Sequence, residues 1–153
     1  MDGADEGRGM LLGTSKVVRL SAEGLVVPPQ FREGLEDAFV MTRGLDRCVA
    51  VFPLTVWDAL LERIDPPASF LRAAARLFQR HIYGGALVDT LGPEGQMNVP
   101  EHLRRYAELA DEVVVVGVAT RLEIWSPERW SEEELNIIEQ AEQASEALSG
   151  YGI

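Results

Sequence analysis

The sequence predicts an α+β fold, mainly β, made of two tandem copies of one unit. Three observations carry that prediction. Residues 20–29 read LSAEGLVVPP and residues 91–101 read LGPEGQMNVPE, so one motif occurs twice. Short apolar runs rich in β-branched residues flank Gly-containing turns in both halves. Further apolar stripes recur at helical spacing outside those runs.

The repeat extends well beyond the motif. Leu20 aligns with Leu91, Glu23-Gly24 with Glu94-Gly95 and Val26 with Met97, at an offset of 71. Past a one-residue gap, Pro28 aligns with Pro100, Phe31 with Leu103 and Arg32 with Arg104. After a second gap, Val40-Met41 aligns with Val113-Val114, Gly44 with Gly117, residues 49–52 with 122–125, and Trp57 with Trp130. Small gaps at turns are what a duplicated unit accumulates.

Each copy reads strand, tight turn, strand, short helix, strand, turn, strand, helix. Residues 16–20 and 25–27 are apolar runs around a turn at 22–24. Pro28-Pro29 ends the second run and opens a short helix at 30–34. Residues 38–42 and 48–52 form strands around a turn at 43–46, and Leu54, Trp57, Leu60, Leu61 and Ile64 recur as an amphipathic helix. A break at 65–69 precedes a helical stripe of Phe70, Leu71, Ala74, Leu77 and Phe78 that bridges the copies. In the second copy 113–116 and 122–125 are strands, and Ser126-Pro127-Glu128 starts a helix with a capping serine. Glu132 to Glu134 read as a solvated first turn after Ser131, with Glu134 closing a capping box. The tail is anchored by Leu135, Ile137 and Ile138 and is expected to fray beyond them. The expected organisation is an extension at 1–9, a first repeat at 10–64, a bridging helix at 65–82, a second repeat at 83–131 and an acidic C-terminal helix or tail at 132–153.

Composition narrows the function. The net charge is −11, yet residues 1–9 contribute −2 and residues 128–153 contribute −6, leaving the 12 basic and 15 acidic residues between them at −3. Such a chain is repelled by nucleic acid at long range, although a local basic face is compatible with the core. The single cysteine, Cys48, excludes an internal disulfide framework, and with only His81 and His102 beside it a structural zinc site is not expected. Cys48 reads as a small buried apolar residue, the histidines as surface or capping groups, and the three tryptophans as core or interface aromatics. The glycines around residues 84 and 92–95 form turns, since neither GxxxxGK[ST] nor GxGxxG is present. No constellation for catalysis stands out and no cofactor is implied. No apolar run is long enough to span a bilayer and no secretory signal is evident, so a cytoplasmic setting is expected.

The paired units, the segment VMTRGLDRCVAVFPLTVWDAL and the segment VVVVGVATRLEIWSPERW resemble the MraZ family, bacterial transcriptional regulators associated with the division and cell-wall gene cluster. The resemblance runs from about Met10 to Trp130, and the first nine residues look like an extension. It implies two AbrB-like swapped-hairpin units forming a pseudo-twofold β-barrel-like domain with peripheral helices. It also implies a ring-like homo-oligomer that binds promoter direct repeats on the nucleoid through the repeated loop. There the family pattern is Asp-x-x-Gly-Arg, in which aspartate fixes the turn and arginine offers a planar fork to guanine or phosphate.

This chain departs from the pattern in both copies. Loop one is Ser21-Ala22-Glu23-Gly24-Leu25, and the adjacent alignment gap points to outright deletion of the arginine position. Loop two is Gly92-Pro93-Glu94-Gly95-Gln96. The expectation is weakened sequence-specific DNA binding, and the alternative is an oligomeric interaction protein that does not bind DNA. The residues left to contact DNA are Lys16, Arg19, Ser21, Arg32, Arg43, Gln96, Arg104 and Arg105.

Overall fold

The computed structural model describes residues 10–64 and 69–151. The extension at 1–9 and most of the break after the first repeat, 65–68, lie outside the described residues. In chain order the elements are β1 (Leu11–Thr14), β2 (Val18–Arg19), β3 (Leu25–Val26), α1 (Pro29–Arg32), β4 (Phe39–Arg43), β5 (Val49–Pro53) and α2 (Leu54–Ile64). Then follow α3 (Ala73–Ile82), β6 (Leu87–Asp89), β7 (Gln96–Met97), α4 (Glu101–Tyr106), β8 (Glu112–Ala119), β9 (Leu122–Trp125) and α5 (Pro127–Ala147).

Antiparallel pairing shows the duplication directly. Equivalent strands of the two copies pair with each other, β5 with β9 and β3 with β7. The register obeys the exchange: Val49 faces Ile124 while Val51 faces Leu122. A pseudo-twofold axis therefore passes through both pairs. The entry strands are swapped, since β2 pairs with β8 of the other copy and β6 with β4. Phe39 opposite Asp89 and Val113 opposite Val18 are one contact seen twice.

Pairing and burial correct two strands of the sequence alignment. Leu25 is buried opposite Met97 while Val26 is exposed, so Leu25, not Val26, is equivalent to Met97. Phe39, Met41, Val113 and Val115 all point into the main core, whereas Val40 and Val114 point outward. Val40 is thus equivalent to Val114, not to Val113, and Gly44 does not match Gly117. A slip of one residue would turn every side chain to the wrong face, so burial decides the register. The valine run Val113–Val116 could not reveal it.

The core is built from equivalent residues of both copies. Leu25 and Met97, Val27 and Val99, Phe31 and Leu103, and Leu35 and Ala107 are all buried in one cluster. Outside it, α2 covers β4 and β5 through Trp57, Leu54 and Leu61. On the equivalent flank, Trp130 of α5 packs against Trp125, Val114 and Val116. The short α1 and α4 are each followed by a non-glycine residue at positive φ, Glu36 (φ 60°) and Glu108 (φ 56°). Both are tied to the long helix of their copy, Glu36 by Thr55 Oγ1 at 3.0 Å and Glu108 by Arg129 Nε at 2.6 Å.

Three local expectations change. Leu11–Thr14 forms a strand along β8, which the sequence did not announce. The position matching it in the second copy is the C-terminus of α3, where Thr42 Oγ1 donates to the Ile82 carbonyl. Finally, α5 runs unbroken to Ala147. Ser126 caps it by accepting the Arg129 N–H, so Ser131 is an interior residue and starts no new turn. The tail does not fray after Ile138 because its Glu, Gln and Ala residues have high helix propensity.

Candidate nucleic-acid interface

The two sequence loops leave the structure on either side of the pseudo-twofold axis, at the pole where β3 pairs with β7. Loop one is a two-residue hairpin turn, with Ser21 N–H donating to the Gly24 carbonyl (2.9 Å) and Gly24 N–H to the Ser21 carbonyl (3.0 Å). Loop two holds one residue more: Gly95 N–H donates to Gly92 (2.9 Å), but Gly92 N–H reaches on to the Gln96 carbonyl (2.8 Å). Gly95 takes the left-handed conformation that such a bulge requires (φ 84°).

The loops therefore differ at the hairpin exit. Gln96 closes loop two, and Gly24 holds the same backbone position in loop one. Gly24 itself has φ 107°, and a Cβ there would collide with the Met97 carbonyl. No side chain of any kind can project from that point.

Short polar side chains brace both turns. In loop one Ser21 Oγ accepts the Glu23 N–H at 3.2 Å. In loop two Gln96 Oε1 accepts the Glu94 N–H at 2.9 Å, which leaves its amide NH2 for an outside partner. A serine turn of this kind was within reach of the sequence; the inward bend of Gln96 was not.

Arg32 and Arg104 form a symmetric pair beneath the loops. Arg32 Nε donates to the Val27 carbonyl (2.8 Å) and Arg104 Nε to the Val99 carbonyl (2.6 Å). A Cβ on Gly95 would lie 2.5 Å from Arg32 Nε, so this guanidinium from the first copy fills the space under the second copy's loop. Arg104 faces loop one, sharing a shallow depression of about 590 Å³ with Arg19, Ser21 and Arg105.

Two other candidates lie apart from this group. Arg43 stands at the far end of β4, where its Nη1 donates to the His81 carbonyl (3.0 Å) and caps the C-terminus of α3. Lys16 is exposed in the link between β1 and β2. The structure thus gathers Arg19, Ser21, Arg32, Gln96, Arg104 and Arg105 near the loop pole, and leaves Arg43 and Lys16 out of the loop contacts.

The charge of that pole is balanced. Arg19, Arg104 and Arg105 share their depression with Glu101, Glu108 and Asp111. Arg105 lies 3.7 Å from Glu101 on an exposed helix face, a contact of little energetic weight. Glu23 and Glu94 occupy the exposed loop tips themselves. A face of this kind offers specific donors but little long-range attraction for a polyanion.

The remaining polar groups have structural tasks. His81 Nε2 and Tyr106 Oη both bond the Gly44 carbonyl, at 2.9 and 2.7 Å, tying the β4–β5 turn to the second copy. His102 Nε2 bonds the Gly85 carbonyl at 3.0 Å. Burial pushes the Cys48 thiol far above its ordinary range, and its Sγ donates to the Leu45 carbonyl. Desolvation also raises the Tyr106 phenol. Among the described residues no group of three or more His, Cys, Asp or Glu side chains is placed to hold a metal ion, and no helix is long and apolar enough to cross a membrane.

A duplicated, swapped-hairpin unit that presents two loops around one axis defines the architectural class: a two-copy β scaffold of the kind anticipated from the repeat. The family follows from direct comparison. The family model described as MraZ protein matches the chain twice, over residues 10–81 and 82–149, and the chain belongs to the MraZ family. A protein of Natranaerobius thermophilus named transcriptional regulator MraZ is 41% identical over 125 residues, covering 82% of this chain and 84% of its own. One of the same name from Desulforamulus reducens is 45% identical over 106 residues, covering 69% and 74%. Another from Halothermothrix orenii is 35% identical over 144 residues, covering 94% of this chain and 100% of its own.

Proposed function

We propose that the protein is a transcriptional regulator that binds DNA through the loop pole, with sequence-specific affinity weakened by its loop residues, and that it acts as a self-associated ring in the cytoplasm, on the nucleoid. The name shared by its relatives supports the regulator class. The observation that carries the weakened affinity is the hairpin exit: Gln96 in one loop and side-chain-free Gly24 in the other. Neither gives the bidentate fork that reads guanine, a contact of about 1–3 kcal/mol. Arg19, Arg104 and Arg105 remain as phosphate contacts, and Arg32 acts as a brace. The repeats 10–64 and 83–131, with the bridge between them, are the units that place the loops.

A second reading, an oligomeric interaction protein that no longer binds DNA, draws support from the balanced charge of the pole and the two glutamates at its tips. A mobility shift on the region upstream of the protein's own gene separates the readings, with a loop-restored variant as positive control. A shift by the variant at far lower concentration than by the natural chain supports the weakened regulator. A shift by the variant with none by the natural chain at any concentration supports the second reading. Nanomolar binding by the natural chain near physiological salt refutes the claimed weakening.

A further inference from the structure

Two helices carry exposed apolar side chains that nothing among the described residues covers, and their charges are opposite. On α5, Trp130 packs against the body. Ile137, Ala141, Ala144 and Leu148 continue the same line past it, at spacings of 7, 4, 3 and 4 residues. Ile138, beside this line, is 77% exposed. The helix holds seven glutamates against Arg129, and Arg129 is already paired with Glu108.

The region around α3 is the complement. Leu77 is 69% exposed, and Phe70 and Leu71 stand bare in the turn before the helix. Arg72, Arg76 and Arg80 flank them, no acidic residue occurs from 69 to 82, and among the described residues none of the three arginines forms an ion pair. Next to α3, a groove of about 760 Å³ opens toward α2, lined by Phe52, Val56, Leu60 and Phe78.

Electrostatics selects the partner. Packing α5 against α5 of a second copy would oppose two helices of net charge −6, and packing α3 against α3 would oppose two basic ones. Only α5 on α3 joins opposite charges while covering apolar surface on both. We propose that α5 of one copy docks along α3 and the α2–α3 groove of a second copy. The pseudo-twofold makes α2 and α5 equivalent and sets them on opposite flanks, so each copy has one docking helix and one groove. Such a contact is heterologous and propagates from copy to copy, giving a ring where the rotation closes. The inference rests on the self-association proposed above and names how it is built.

Sedimentation velocity of the full chain tests it with two variants at exposed positions. The natural chain is expected to sediment as a multi-subunit assembly at micromolar concentration. I137D/I138D, which spoils the helix, and L77D/R80E, which spoils the receiving face, are each expected to sediment as monomers with unchanged circular dichroism and Tm. Mixed one to one, they are expected to form a two-subunit complex and nothing larger, because one intact helix meets one intact face. A monomeric natural chain overturns self-association altogether. An assembled natural chain whose L77D/R80E variant also assembles, or a mixture that stays monomeric, overturns the α5-on-α3 contact alone.

Discussion

Restoring a reading head to loop two is the sharpest perturbation this structure allows. Gln96→Arg alone removes the acceptor of the Glu94 N–H, a 2.9 Å bond that holds the turn. Gly92→Asp supplies a new acceptor at the loop's first position. Gly92 lacks a left-handed φ, and a Cβ there meets only the movable end of the Gln96 side chain (2.6 Å from Oε1), which the second substitution removes. The double variant G92D/Q96R should therefore fold with a braced turn and a free guanidinium. One bidentate contact contributes about 1–3 kcal/mol, so affinity should rise by roughly 5- to 150-fold. Fluorescence anisotropy on a duplex carrying a single repeat unit keeps avidity out of the measurement. A base-edge contact neutralises no phosphate, so the slope of log K against log salt should stay nearly unchanged while preference for the repeat over a scrambled duplex rises. A folded double variant that binds the repeat no tighter would falsify the reasoning that the hairpin exit limits binding.

Other consequences test the scaffold. Phe31→Ala and Leu103→Ala remove equivalent, fully buried core side chains, and denaturant titration should show losses of about 3–5 and 2–5 kcal/mol respectively. Arg32→Ala frees the Val27 carbonyl and empties the space under Gly95; a loss of about 1–3 kcal/mol is expected, and Arg32→Lys should not restore it. The buried Cys48 holds its proton in the folded chain beyond the ordinary thiol value of 9.0. Its contribution to stability is thus fully present below about pH 9 and falls as pH rises, by up to about 1.4 kcal/mol per pH unit. Tyr106 adds a loss of the same sign above its ordinary value of 10.0. Cys48→Ala should remove the part of the alkaline decline that begins near pH 9, as read by unfolding at a series of pH values.

Much of this architecture could be read from residue order. The repeated EG turn, the prolines after it and the paired tryptophans located two equivalent units, and α2 and β9 fall where periodicity put them. What stayed hidden depended on the other copy. A uniform valine run carries no period-2 signal, so the face of β8 is fixed only by what packs on it. Leu11–Thr14 becomes a strand because Val116 to Ala119 offers an edge. Among the candidate site residues, charge alone could not separate Arg43, which caps a helix, from Arg19, which stands beside a loop. The pairing of Arg32 with Val27 and Arg104 with Val99 follows the repeat, so symmetric roles were foreseeable; the inward turn of Gln96 required coordinates.

The central claim is that a complete two-copy scaffold presents loops stripped of their discriminating side chains. Its most direct test is the ratio of affinities of the natural chain for its own upstream repeats and for a scrambled duplex, measured at ~150 mM salt. The account predicts micromolar or weaker binding to both, the range of non-specific association, with the repeats preferred by no more than about tenfold. A nanomolar dissociation constant for the repeats, a hundredfold or more below that for the scrambled duplex, would contradict it.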